Sequence, residues 1–174
     1  MQALEFWKTI TMDKANFLEG LLGVLAENHI DYCAFGDQAI NAYVEPLVSL
    51  DLDLVVAADQ LQKIETLLGA QYKVERFEHS LNVSAEKSDL RVQFQTDPRY
   101  AAFLSRATIK PVLGLNLTVA SLEDVLQGKV WAVQSKLRRA SKRQKDLADI
   151  TRLIEDFPHL RASVPPEILA KLEL

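Results

Sequence analysis

Cysteine is scarce in this chain: Cys33 is the single one among 174 residues, so no internal disulfide can form. Cys33 lies in an apolar run, which predicts a buried thiol in a protein of a reducing compartment. The three histidines are scattered without the spacing of zinc ligands, and no serine-hydrolase motif is present. These scarcities argue against disulfide scaffolds, zinc enzymes and serine hydrolases.

Long apolar runs are also missing. The longest one near the start covers residues 21–26, far too short to cross a bilayer, and no basic leader precedes it. We therefore expect a cytoplasmic protein that has no membrane partner. The formal net charge of −4 is not that of a polyanion-binding chain, so contact with nucleic acid would need a local basic patch.

Length and composition predict one compact unit, because 48% hydrophobic residues can form a sizeable core without a disulfide or a metal. Helices are predicted over residues 12–28 with Thr11 as N-cap, 38–44, 60–68, 100–105, 121–140 with Ser121 as N-cap, and 141–155. Strands are predicted over 32–35, 51–56, 72–77, 81–85, 90–95 and 115–119. This order predicts an α/β (α+β) mixed sheet flanked by helices, with a core over 1–120 and a helical C-terminal part over 121–174 packed on it.

Two short segments carry the chemistry. Gly36 and Asp37 follow the apolar run 32–35, and Asp51 and Asp53 lie at the start of the run 51–56. Side chains alternate along a strand, so both later carboxylates face the same side. Carboxylates suit Mg2+ or Mn2+, and Gly36 permits a turn sharp enough for backbone amides to face a phosphate. The pattern predicts a metal site at Asp51 and Asp53 that holds an NTP.

The same residues resemble the nucleotidyltransferase superfamily with the polymerase-beta-like core. The segments that carry the resemblance are 35–43, 49–55, 119–129 and 145–150, and within the superfamily they are most similar to the branch containing the AbiEii-type toxins. The resemblance implies a nucleotidyltransferase-like mixed sheet and Mg2+-dependent transfer of NMP from an NTP to a hydroxyl of an RNA end, a protein or a small molecule. It also implies a toxin–antitoxin role, with an antitoxin or another protein as partner.

The resemblance assigns nucleotide-binding roles to four residues. Gly36 and Asp37 would lie beside the phosphates, and Lys129 and Lys145 would be the cations that face the triphosphate. Ordinary surface ion pairs are the alternative for both lysines. Asp37 stands where relatives have Gly or Ser, and its alternative role is to cap the helix that follows.

A third catalytic carboxylate is usual in relatives, on a neighbouring strand. By resemblance it belongs near position 93, which is Gln93 in this chain. The nearest acid is Asp89, which would serve if the strand register differed. A neutral amide can hold a metal through its oxygen but is a poor general base. Asp89 and Gln93 are therefore the two candidates for the third catalytic position.

The segment from Lys129 to Lys145 contains Lys and Arg but no acid. Its basic residues are Lys129, Lys136, Arg138, Arg139, Lys142, Arg143 and Lys145. Such a block could hold an RNA backbone, or it could be a solvated helix face.

Three functional hypotheses follow from these patterns. The first is an active nucleotidyltransferase. The second is a non-catalytic descendant that binds a nucleotide, RNA or protein, which is favoured by Asp37, by Gln93 and by Leu47, where relatives often carry Arg. The third is an interaction protein that keeps only the scaffold.

Overall fold

The computed structural model describes residues 3–14 and 16–174, and its core is one seven-stranded mixed sheet in the order β3-β4-β5-β2-β1-β7-β6. The strands are β1 Tyr32–Phe35, β2 Asp51–Val56, β3 Lys73–Arg76, β4 Ser80–Ser84, β5 Arg91–Gln95, β6 Thr108–Val112 and β7 Leu115–Val119. The α-helices are α1 Ala3–Ile10, α2 Phe17–Glu27, α3 Gly36–Ile40, α4 Leu61–Gly69, α5 Phe103–Arg106, α6 Leu122–Gln134, α7 Ala140–Asp156 and α8 Pro166–Leu169. Short 3-10 turns cover Ala58–Gln60, Pro98–Tyr100 and Pro158–Ser163. The predicted mixed α/β class is confirmed.

The two faces of the central strands differ in polarity. β2 is antiparallel to β1 and parallel to β5. Leu52 and Leu54 are fully buried on one face, as are Val92 and Phe94 on β5. The opposite face carries the polar side chains, which the alternation in the sequence predicts. Because α2 and α4 pack together and α4 packs against β3 and β4, the chemistry is left to the other face.

Helices α3, α5 and α6 cover part of the polar face. An aromatic cluster closes one end of it, with the Tyr100 ring 4.9 Å from Phe35, 5.3 Å from Phe103 and 5.2 Å from Trp131 between centroids. Gly128 on α6 faces this cluster, and a Cβ there would make ordinary van der Waals contact with Phe35 at 3.7 Å. The rest of the polar face stays open as a cavity.

The N-terminal part differs from the sequence prediction. The predicted helix over 12–28 is shorter, and α1, which was not predicted, precedes it. Thr11 is not its N-cap, because the Thr11 hydroxyl donates to the Trp7 carbonyl 2.9 Å away. Instead, the Asp13 carboxylate accepts from the amides of Phe17 at 2.9 Å and Leu18 at 3.3 Å. Asp13 thus satisfies the donors that open α2.

Two further differences are local. The helix predicted to reach residue 140 ends at Gln134, where the Arg143 guanidinium binds the Val133 carbonyl in the last turn and the Ser135 and Arg138 carbonyls beyond it. Strand β6 was missed because it contains Pro111, which lacks an amide and is tolerated on this edge strand. Ser121 does cap α6, as predicted, by accepting from the Asp124 amide at 3.2 Å.

Among the described residues, no helix combines the length and the apolarity needed to span a bilayer. The predicted buried state of Cys33 is confirmed, since its side chain is fully shielded from solvent. The boundary expected at residue 120 falls between the end of β7 and the start of α6.

Candidate active site

A row of side chains crosses five strands on the polar face of the sheet. The register places Phe35 beside Asp53, Asp53 beside Gln93, Gln93 beside Asn82 and Asn82 beside Glu75. This row forms the floor of a cavity of about 600 Å³. The cavity walls include Arg99, Tyr100, Gly128, Trp131, Ser135 and Arg138. A space of this size accommodates a small-molecule ligand.

Gly36 and Asp53 fit together in a way that only glycine allows. Gly36 has φ +69°, in the left-handed region that other residues rarely adopt. A Cβ at this position would lie 2.5 Å from the Asp53 Oδ2 atom. The two segments that the sequence analysis singled out are therefore in direct contact.

Asp51 is already paired with two cations. Its Oδ1 atom lies 2.8 Å from the Arg91 Nε atom, and its Oδ2 atom lies 3.5 Å from the Lys142 Nζ atom. Arg91 lies opposite Asp51 in the parallel pairing of β2 and β5. Neither partner was predicted from the sequence, although the alternation on β5 places Arg91 on the same face as Gln93.

Asp53 has no cation of its own. Within the described part of the chain, no ion pair or hydrogen bond reaches its carboxylate. Burial, and then the nearby charges of Asp37 and Asp51, raise its pKa to about 7, although Lys129 and Arg138 oppose the shift. Asp53 is thus an uncompensated carboxylate at the floor of a polar cavity, an environment that fits a divalent cation.

Asp37 lies in the same site but is neutralised by lysines. Its Oδ1 atom is 2.5 Å from the Lys129 Nζ atom, its Oδ2 atom contacts Lys145, and the Ser49 hydroxyl donates to it at 3.2 Å. Burial alone would raise the pKa of Asp37, but the two ammonium groups hold that pKa well below its usual range. The capping alternative for Asp37 is wrong, because no side chain caps α3.

Lys129 lies in a cage of three carboxylates. Its Nζ atom is 2.5 Å from Asp37, 3.1 Å from Asp146 and 2.8 Å from Asp149, and only 4% of its side chain is exposed. Burial would lower its pKa, but the carboxylates, Asp37 first, raise the pKa above its usual range. The carboxylate oxygens lie within 4.8 Å of one another, close enough for a metal. The ammonium group, which hydrogen-bonds to Asp37 and Asp146 and forms an ion pair with Asp149, already fills that space.

The expected role of Lys129 as a cation that faces the triphosphate stays a prediction. In this structure Lys129 hydrogen-bonds to Asp37 and Asp146 and lies 2.8 Å from Asp149, so it holds the cavity wall together. Lys145 is different, because 40% of its side chain is exposed and Asp37 is its one ion-pair partner among the described residues.

Gln93, and not Asp89, occupies the position beside Asp53. Its Nε2 atom donates to the Asn82 Oδ1 atom at 3.1 Å. Asp89 is exposed in the loop before β5, its amide donates to the Thr11 carbonyl at 2.7 Å, and it does not border the cavity. The expectation that Asp89 could serve as the third carboxylate is corrected, because the register leaves it two residues short of the site.

The predicted basic block is largely used inside the molecule. Besides the caged Lys129, Arg138 forms paired bonds with Asp146, Arg143 binds carbonyls at the end of α6, and Lys142 and Lys145 contact the site carboxylates. Lys136 and Arg139 form no ion pair with any residue in the ranges 3–14 and 16–174. The basic side chains of this block therefore do not form a continuous surface of unpaired cations that could bind RNA.

Comparisons with known proteins support the fold. The antibiotic-resistance factor ANT(2'')-Ia aligns over 88% of this chain and 95% of its own with a TM-score of 0.60 at 12% identity. The lincosamide antibiotic adenylyltransferase LnuA aligns over 80% of this chain and 98% of its own, with a TM-score of 0.55 at 13% identity. The chain has a nucleotidyltransferase fold.

A further solved structure with this fold is an antigenic nucleotidyltransferase-like protein from Paracoccidioides brasiliensis. It covers 86% of this chain and 75% of its own, with a TM-score of 0.51 at 18% identity. Family models and curated proteins give no match to the chain. The identities are low enough that they show the nucleotidyltransferase fold alone, and the AbiEii-type branch stays a prediction.

Proposed function

We propose that this chain is a Mg2+-dependent nucleotidyltransferase that transfers NMP from an NTP to a hydroxyl of a small molecule. The observation that carries the proposal is the uncompensated Asp53 carboxylate, which lies against Gly36 at the floor of the cavity. A neighbour supports the acceptor class, because ANT(2'')-Ia has been crystallised with adenylyl-2''-tobramycin (TM-score 0.58, 15% identity, covering 85% of this chain and 94% of that one).

Asp51 and Asp53, together with the amide oxygen of Gln93, would hold the metal. Once bound, Mg2+ neutralises the charge that develops on the α-phosphate and the leaving pyrophosphate. Both carboxylates project from one face of β2, and Gln93 lies opposite Asp53 in the next strand. Within the described residues, the Gln93 oxygen accepts no hydrogen bond, because the amide nitrogen of Gln93 makes the contact with Asn82.

Lys142 and Lys145 on α7 would bind the triphosphate. Their side chains are 39% and 40% exposed, and they contact Asp51 and Asp37 at the edge of the site. A lysine suits this role because its ammonium group is a compact charge on a flexible chain. In the transfer, the acceptor oxygen bonds to the α-phosphorus as the bond to pyrophosphate breaks. The hydroxyl proton passes to water, since the amide of Gln93 cannot accept it as a carboxylate would.

A second candidate function is nucleotide binding without transfer, favoured by one observation. Gln93 stands beside Asp53, where a third carboxylate would otherwise activate the acceptor hydroxyl. In the non-catalytic case, Mg2+ and NTP would still bind, but NMP would stay attached to its pyrophosphate.

An assay with labelled NTPs separates the two functions. The protein is incubated with each α-labelled NTP, Mg2+ and a mixture of small hydroxyl compounds, beside an Asp51→Ala/Asp53→Ala variant. Labelled product from the wild type alone supports the enzyme. Mg2+-dependent thermal stabilisation by NTP without product supports the binding protein, and absence of both contradicts the proposal. A parallel reaction with total RNA tests the toxin role, for which the engaged basic block offers little support.

A further inference from the structure

The cavity has two halves on either side of Asp53. Gly36, Asp37 and Lys145 lie on the side of β1 and α3, whereas β5, β4 and β3 extend the floor in the other direction. In an in-line displacement, the attacking oxygen and the leaving pyrophosphate lie on opposite sides of the phosphorus. If the proposed function holds, on which this inference rests, the acceptor lies over β5, β4 and β3.

The floor of that half consists of neutral polar side chains. They are Asn82 and Ser84 on β4, and Gln93 and Gln95 on β5. The bond from Gln93 Nε2 to Asn82 Oδ1 fixes both amides, which leaves the Gln93 oxygen as an acceptor and the Asn82 amide group as a donor. Such a surface matches a ligand whose groups both donate and accept, as hydroxyls do.

The charged side chains that border this half are paired. The pairs are Arg91 with Asp51 at 2.8 Å, Arg99 with Asp97 at 2.9 Å, Arg138 with Asp146 at 2.7 Å, and Glu75 with Lys73 at 3.1 Å. Asp53 is the exception among the described cavity residues, and the metal would use its charge. A polycationic acceptor would meet one exposed carboxylate, Glu75, which lies at the outer end of the floor and is paired with Lys73, and it would lie near the cations of α7.

An aromatic wall faces the amide floor. Trp131 and Tyr100 border the cavity, and the Arg99 guanidinium lies 5.3 Å from the Trp131 ring centroid. Trp131 also stacks on Phe103, and Tyr100 is only 8% exposed, so these rings offer apolar edges to the cavity. A pocket with polar amides on one side and apolar ring edges on another suits a ligand with both hydroxyls and C–H bonds. The rings of sugars have this character.

We propose that the acceptor is an uncharged, polyhydroxylated molecule of the size of a mono- or disaccharide. Its hydroxyls bond to the Asn82 amide group and to one lone pair of the Gln93 oxygen, whose other lone pair would face the metal, and its reacting hydroxyl lies toward Asp53. Strand spacing puts Asn82 about 10 Å and Glu75 about 14 Å from Asp53 across the row, which is a suitable length for one or two sugar rings.

Direct binding measurements on the full chain with Mg2+ test this proposal. The probes are glucose, maltose and sucrose as neutral ligands, and tobramycin as a polycation. We expect at least one neutral sugar to bind more tightly than tobramycin. The variant Asn82→Asp keeps the acceptor for Gln93 but loses the donor and adds a charge, so it should weaken sugar binding about three- to tenfold and tighten tobramycin binding. Asn116→Asp, an exposed position on β7 outside the cavity, should change neither affinity.

Three results would overturn the proposal: tighter binding of tobramycin by the wild type, no detectable binding of any neutral sugar, or identical behaviour of Asn82→Asp and Asn116→Asp. Mg2+-dependent NTP binding is measured on the same samples. Its absence, with sugar binding that follows the expected pattern, would count against the proposed function alone. Its presence, with a preference for tobramycin, would count against the acceptor class alone.

Discussion

At the scale of single residues, three neighbouring carboxylates have three different environments. Asp37 is held by lysines, Asp51 by Arg91 and Lys142, and Asp53 has no cation of its own. The sequence predicted that the last two share one face of a strand, because alternation follows from strand geometry. It could not predict which carboxylate would be neutralised, since Arg91 comes from β5 and the lysines come from α6 and α7, far away in the chain.

The contact between Gly36 and Asp53 predicts that Gly36→Ala is damaging. The left-handed backbone costs about 1–2 kcal/mol for a residue with a Cβ, and the Asp53 carboxylate must also move. Urea denaturation should show this loss of stability, and Mg2+-dependent NTP binding should weaken as well. Gly23→Ala is the matched control, because nothing lies within 4 Å of its added Cβ and α2 should gain about 0.5–1 kcal/mol. Equal stabilities of the two variants would be inconsistent with this packing.

Gln93 offers a gain-of-function test at the position of the missing carboxylate. Gln93→Glu places a base beside Asp53 at almost unchanged size, and general-base catalysis contributes typically 10²–10⁴-fold. We expect the rate of NMP transfer to the acceptor to rise by about a hundredfold. The control Gln71→Glu makes the same change at an exposed position after α4, outside the cavity. A Gln93→Glu variant no faster than this control would show that the acceptor hydroxyl lies elsewhere.

At the scale of elements, the Lys129 cage joins α6 and α7 to the turn that begins α3. Asp37 comes from α3, whereas Asp146 and Asp149 come from α7. The resemblance brought Lys129 and Lys145 to the site, but the sequence did not pair Lys129 with Asp146 and Asp149. Their burial was not predictable, because a Lys and two Asp on amphipathic helices more often lie at the surface.

Replacement of the caged lysine should therefore be strongly destabilising. Lys129→Met removes the buried cation that joins three carboxylates and leaves each of them with one partly exposed partner, Lys145, Arg138 or Arg152. Breaking a buried ion pair in this way costs about 3–5 kcal/mol. Lys136→Met is the control, because Lys136 is exposed and the substitution should change the free energy of unfolding by at most about 0.5 kcal/mol. Chemical denaturation of both variants provides the comparison. A loss below about 1 kcal/mol in Lys129→Met would disagree with a structural role for the cage.

At the scale of the whole molecule, the sequence predicted the mixed sheet, the apolar and polar faces of its central strands and the helical C-terminal part. Periodicity identified β1, β2 and β5 because each buries a continuous apolar face. It missed α1 and β6, which lie at the periphery. Helix α1 is only eight residues long and buries Trp7, and Pro111 interrupts the strand pattern of β6. The cavity itself was not predictable, because it arises from the register of strands that are distant in the chain.

Cys33 reports on the integrity of this core. Burial first, and then the charge of Asp124, raise its pKa from 9.0 to about 12. The unfolded chain therefore loses the thiol proton at lower pH than the folded chain, and stability should fall as pH rises through the window from about 9 to 12. Iodoacetamide at pH 8.5 should label Cys33 in concentrated urea and leave the native protein unlabelled. Rapid labelling of the native protein would mean that β1 opens readily.

The central claim is that Asp51 and Asp53 form a metal-dependent nucleotide site, and calorimetric titration with NTP tests it most directly. Wild-type protein should bind NTP in the presence of Mg2+ and at least tenfold more weakly without it. Asp53→Asn should lose the Mg2+-dependent part, whereas Asp89→Asn, which changes an exposed carboxylate outside the cavity, should bind like the wild type. Equal NTP affinities with and without Mg2+, or an unchanged affinity in Asp53→Asn, would contradict the claim.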